Sequence, residues 1–255
     1  MWGRLGLLLV MGVFGCAELY QEPSDVIEFA EEKTGAGADG LETVEEYADR
    51  AFNTSGAARL DSQLAAVLAC GHQSELVDID GHPSIIRAPG VHRPLHGAVV
   101  AGIERASDRI GERIEIHSGW RSMVQQYILL RLYERGVDGV YGPAPVGRSQ
   151  HQQGFAIDVP SAKALDYLEA LRDEGFVWYC DQPWSQRSGC TGDRVSCCKD
   201  VPHFTLVPDG HEVGTPAREE DVKSVVRGFQ LLWNFNAPPG ATPLVVDGVY
   251  GGATR

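Results

Sequence analysis

Apolar residues recur at helical spacing in two stretches separated by a short run that reads as a strand. Val99, Ile103, Ala106 and Ile110 share one face of a helix predicted within residues 95–110. RIEIHSGW then reads as a strand ending in a Gly turn, which delivers Arg121 at the strand terminus. Met123, Val124, Tyr127, Ile128 and Leu130 make the next helix amphipathic, and Gly136 ends it. FAIDV is a buried-strand candidate with Asp158 near its end. Ala164, Leu168 and Leu171 give a helix stopped by Gly175, and FVWY and HFTLV follow as strands. Helices alternating with short strands predict an α+β domain.

Both flanks differ from this pattern. Residues 17–60 mix acidic patches with Gly and Ala, as in GAGADG, and read as a linker with one short helix near 41–51. The catalytic-type domain is expected over 61–212. Beyond Gly214, Val222, Val225, Val226, Phe229 and Trp233 fall on one helical face, followed by VVDGVYGGATR. Residues 213–255 are therefore expected to form a helical module.

The 255 residues carry a net charge of −13, and residues 17–61 hold twelve acidic against three basic side chains. With no basic stripe to neutralise phosphates, nucleic acid is excluded as the expected partner. Residues 1–16, MWGRLGLLLVMGVFGC, pair one Arg with an apolar run too short to span a bilayer. This fits an export signal and predicts an envelope or periplasmic location. Small residues before Cys16 resemble a bacterial lipobox, so Cys16 is the expected lipidation site and membrane anchor. Cys70, Cys180, Cys190, Cys197 and Cys198 remain, four of them within one loop. An exported chain favours disulfides there over a second metal site, because no C-x2-C pair has a matching His or Cys pair.

The chemistry concentrates in three segments: SGWRS (118–122), SQHQQGFAIDVP (149–160) and DVPHF (200–204). Together they supply His151, Asp158 and His203, two imidazoles and a carboxylate. Such a set holds zinc and leaves a position for water, whose pKa the metal lowers to about 7. Ser149 is expected either to orient the His151 ring or to begin its turn. Asp200 is the candidate base, with Glu212 and Asp181 behind it.

These segments resemble the D-Ala-D-Ala carboxypeptidase and dipeptidase family of zinc peptidases (the VanY-like group), whose pattern is roughly SGYRS, SxHxxGxAxD and ExWH. The likeness covers about residues 90–206. It implies a hedgehog/D-Ala-D-Ala peptidase-like fold with a small, mainly antiparallel sheet flanked by helices. It also implies Zn2+ on His151, Asp158 and His203, and a peptidoglycan stem peptide as substrate. Arg121 would face that substrate and the developing oxyanion, and Trp120, in the Tyr position, would form an aromatic wall. Asp200 stands where the family has Glu, one methylene shorter. Cleavage of another stem-peptide bond, such as L-Ala–D-Glu, and a non-catalytic cell-wall-binding role both stay open. The FQ pair and DGVYG resemble half of a peptidoglycan-binding module, whose apolar face would lie uncovered and which reads as part of a longer chain.

Overall fold

The computed structural model describes residues 44–70, 76–140, 142–182, 185 and 191–206, and toward the C-terminus 223, 226–230, 234 and 242–249. Cys16, Glu212, Val222, Val225 and Trp233 lie outside the described residues. The fold is α+β. Its helices are α1 (Val44–Arg50), α2 (Ala58–Cys70), α3 (Gly97–Ile110), α4 (Met123–Glu134), α5 (Ala164–Asp173) and the short α6 (Arg194–Cys197). Its strands are β1 (Leu76–Asp78), β2 (Ile85–Arg87), β3 (Pro94–His96), β4 (Ile114–Ile116), β5 (Ala156–Asp158), β6 (Phe176–Trp178) and β7 (His203–Leu206).

Where the resemblance implied one small sheet, the strands of the described residues divide into three. β5, β7 and β6 form an antiparallel sheet with β7 central, β1 pairs antiparallel with β3, and β2 pairs parallel with β4. Each named strand is three or four residues long, so side chains from packed helices rather than long ladders stabilise the sheets.

Two apolar cores result. In the first, Val99, Ile103 and Ala106 of α3 and Leu171 of α5 meet Ile85, Ile114, Ile157, Phe176 and Phe204 from the sheets. Helix α3 starts where the His96 side chain accepts from Ala98 N, at 3.2 Å. The second core joins α1, α2 and α4 through Ala48, Leu64, Leu68, Val124, Ile128 and Leu132.

Residues 44–60 therefore belong to the packed domain, although their acidic composition read as linker. Ala48, Ala51 and Ala57 point inward and are at most 5% exposed. The acid side chains of α1 do not enter this core. Arg135 on the far side of α4 donates to Ala48 O and Ala51 O at 2.6 and 2.9 Å, closing the helix end onto the domain.

The C-terminal segment also packs on the domain. Val226 is fully buried and, with Phe229, covers Met123 and Val146. The face expected to lie uncovered is thus partly closed by α4. Gln230 ties the FQ pair to the DGVYG turn, donating to Asp247 Oδ1 at 2.9 Å and accepting from Gly248 N at 2.9 Å. Among the described residues, no helix is long and apolar enough to cross a membrane.

Candidate metal centre

Pairing of β5 with β7 sets Asp158 directly opposite His203. Neighbouring residues in such a pair bring their side chains out on the same face, so a carboxylate and an imidazole meet there. A bridge from Ser118 fixes the other side of Asp158: Asp158 N donates to Ser118 O at 2.8 Å, and Asp158 O accepts from His117 N at 2.7 Å. His151 arrives on a 3-10 turn, Gln150–Gln153, that begins at Ser149 and closes on Gly154. Gly154 has φ +75°, and a Cβ there would stand 2.7 Å from His96 N. Its small size thus serves a close approach to the start of α3.

His151 Nε2 lies 3.3 Å from His203 Nδ1 and 3.5 Å from Asp158 Oδ2, and His203 Nδ1 lies 2.9 Å from Asp158 Oδ1. The corners of a tetrahedron with bonds of about 2.0–2.1 Å are separated by about 3.3 Å, the same scale. Outer partners favour one tautomer of each neutral ring. His151 Nδ1 is 2.7 Å from Gly119 O, which only accepts, so the proton sits there and Nε2 is a bare lone pair. Thr205 Oγ1 donates its one proton to Gln150 Oε1 at 2.9 Å, and so accepts from His203 Nε2 at 3.1 Å. Nδ1 of His203 is then also a lone pair. With both rings neutral in these tautomers, two imidazole lone pairs and a carboxylate converge. A cation resolves that arrangement, and these residues can hold a metal ion.

The electrostatics follow from the same closeness. Burial pushes the Asp158 carboxyl up, but His151 and His203 outweigh it and hold it well below the usual carboxylate range. Burial pushes His151 down. In His203 burial acts downward too, and the Asp158 carboxylate reverses it, so this imidazole is raised. Asp200 is raised chiefly by burial, with the negative Asp158 adding to it and His203 and Arg121 opposing. A carboxylate that takes up protons more readily than usual suits proton transfer.

Arg121 sits at the same centre. Its Nη2 is 4.0 Å from Asp158 Oδ2, its Nη1 donates to Gln126 Oε1 at 3.0 Å, and its backbone N donates to His151 O at 3.1 Å. Asp200 lies within electrostatic reach of Arg121 and His203. The loop that carries it is fastened at four points. These are the Cys180–Cys198 disulfide, Lys199 N to Ser185 O at 2.9 Å, Trp178 Nε1 to Val201 O at 2.7 Å and Val159 N to Pro202 O at 3.0 Å. Cys197 is disulfide-bonded as well.

Other residues fall elsewhere. Trp120, read as an aromatic wall, is 1% exposed and packs in the second core, so it cannot touch a ligand. Backbone alternation is the reason: with Arg121 turned to the site, its neighbour turns inward. Ser149 caps the His151 turn, its N donating to Gln152 Oε1 at 3.3 Å, which is the turn-residue alternative. Asp181 is taken up by Arg172, whose Nε lies 3.1 Å away. The sequence does not signal Gly119 O, which meets His151 across 32 residues, nor Thr205 and Gln150, which meet across 55. Nor does it signal Gln126, five residues from Arg121, or Tyr179, whose ring meets His203 edge-on at 5.8 Å.

Comparison with protein-family models, with curated proteins and with solved structures returns no match.

Proposed function

We propose that this chain is an exported zinc peptidase of the cell envelope that cuts peptidoglycan stem peptides, with D-alanyl-D-alanine carboxypeptidase activity as the leading assignment. The observation that carries the reading is the convergence of two imidazole lone pairs and Asp158, with outer partners fixing both rings. Imidazole and carboxylate donors suit zinc among the available divalent ions. The substrate class comes from the resemblance of SGWRS, SQHQQGFAID and DVPHF to the zinc peptidase pattern. Lipidation of Cys16 would hold the protein at the membrane surface.

In this reading His151, Asp158 and His203 hold the ion. Zinc, when bound, supplies Lewis acidity and lowers the pKa of its water to about 7. Asp200 accepts the proton released as that water attacks and returns it to the leaving amine. Arg121 neutralises charge developing on the scissile carbonyl oxygen or holds the substrate's terminal carboxylate through its planar fork. Its Nη1 bond to Gln126 and its Nη2 bond to Ser118 Oγ, at 3.0 and 3.4 Å, keep the guanidinium aimed.

Incubation of the full chain with zinc and a stem pentapeptide, beside Asp200→Ala, tests the proposal. D-Ala release by the parent, lost in the variant at unchanged zinc content, is the expected result. Cleavage at a different bond would make the protein an endopeptidase with the same site. One bound zinc without any cleavage would overturn the enzyme reading in favour of a cell-wall-binding protein.

A further inference from the structure

The residue that follows Arg121 is held by a buried carboxylate. Asp61 is fully buried, and so is Ser122, whose hydroxyl donates to Asp61 Oδ1. The other oxygen, Oδ2, lies 3.3 Å from His92 Nε2. The His92 ring in turn meets Trp120 edge-on, 5.6 Å between centroids and 80° between planes. One oxygen of Asp61 therefore fixes Ser122 directly, while the other approaches His92 without a hydrogen bond.

We infer that Asp61 is a positioning residue for Arg121, reaching it from α2 across the interface with α4. Ser122 is the N-cap of α4 and accepts from Gln125 N at 2.9 Å, so its placement sets the start of that helix. Gln126, in the first turn, holds the Arg121 guanidinium at 3.0 Å and is itself fixed by donating to Ala144 O at 2.7 Å. A shift of the cap shifts Gln126 and with it the guanidinium. Burying a carboxylate is costly, and with Oδ2 lacking a hydrogen-bond partner the bond from Ser122 to Oδ1 is what offsets the burial of Asp61 beneath this turn. Neither Ser122 nor His92 touches the three acceptors of the metal centre, but Arg121 N donates to His151 O, so the zinc content of the variants reads whether the effect stays at the guanidinium.

This inference rests on the proposed function only in treating Arg121 as facing the substrate, and its test separates the two. In the full chain, the Arg121 Nε–H resonance is identified by its loss in Arg121→Lys, then followed in Asp61→Ala. It is expected to move toward the position of solvent-exposed arginines, while bound zinc stays at the parental content. Stem-peptide hydrolysis is expected to fall about 100-fold, in kcat rather than KM, the scale of a 1 Å misplacement. If Asp61→Ala does not fold, Asp61→Asn carries the test. It keeps an acceptor for Ser122 but can turn an amide donor toward His92, and the same resonance is expected to move by less. An unmoved Arg121 resonance in either folded variant overturns the inference. A moved resonance in a chain whose parent hydrolyses nothing upholds it and sinks the peptidase reading instead.

Discussion

Asp158 and His203 face each other across the β5–β7 pair with Oδ1 2.9 Å from Nδ1, and this contact is oriented from behind by Thr205, two residues along the same strand. Thr205 Oγ1 accepts from His203 Nε2 and donates to Gln150 Oε1, beside His151. A hydroxyl two residues on in a strand lies on the same side as the imidazole, which is why one chain segment supplies both.

Thr205→Val keeps the shape and removes that hydroxyl. Loss of an outer partner typically weakens metal affinity about 10–100-fold. Zinc affinity by competition with a chromophoric chelator is expected to fall within that range, with the melting temperature of the metal-free protein much less affected. An unchanged affinity would mean that His203 Nδ1 is not a ligand.

The Cys180–Cys198 disulfide spans 18 residues and ties the turn after β6 to the loop before Asp200. A loop of that length gives about 3 kcal/mol of stabilisation by restricting the unfolded chain. The paired variant Cys180→Ala/Cys198→Ala is expected to lose about that much in denaturant titration. The displaced loop should also lower hydrolysis more than it lowers zinc binding, because Asp200 rides on the loop and only His203 among the ligands follows it. Equal losses of both would place the disulfide's effect on the whole sheet.

Gly154→Ala tests the close approach beside His151. At φ +75° a side chain costs about 1–2 kcal/mol. The added Cβ also meets the His96 backbone, which cannot move aside without disturbing the start of α3. Gly154 N donates to His151 O at 3.1 Å, so the displacement passes to the ligand turn. A drop in thermal stability together with weaker zinc binding is the expected pair of results. A variant as stable as the parent would show that the turn relaxes freely.

The sequence pattern carried α3, α4 and α5 well, missed α2, and carried the assembly poorly, for identifiable reasons. Val99, Ile103 and Ala106 had a helical period to read, and Phe204 and Ile157 lay in apolar runs bounded by turns. Leu76–Asp78, Ile85–Arg87 and Pro94–His96 are three residues each, too short for alternation to register. The pairing of Asp158 with His203 crosses 45 residues, and no local pattern signals that the two side chains face each other. Residues 44–60 were hidden by their acids, because the inward positions are alanines that leave no strong apolar stripe. Trp120 was misplaced because a motif gives residue types without the side each residue faces.

Glu174, at the end of α5, links that helix to α3. Arg105 Nε donates to Glu174 Oε2, and Arg109 Nη2 lies 3.0 Å from Oε1, while the Glu174 side chain is only 9% exposed. The bond from Arg105 is the largest influence on its carboxyl, with burial opposing and Arg109 reinforcing, and the net result is a lowered pKa. A carboxyl lowered on folding releases its proton more readily in the native state, so the unfolded state binds more protons through the window between the two values. Its contribution to stability is fully present above the unfolded value of about 4.5 and is lost as pH falls through the lower folded value. Urea midpoints of the parent are therefore expected to fall below about pH 4.5 more steeply than those of Glu174→Gln. The two curves should separate most at neutral pH, where the variant lacks the ion pairs, and converge in acid. Parallel curves across the whole range would show that Arg105 and Arg109 leave Glu174 no more stable folded than unfolded, despite their contact in the structure.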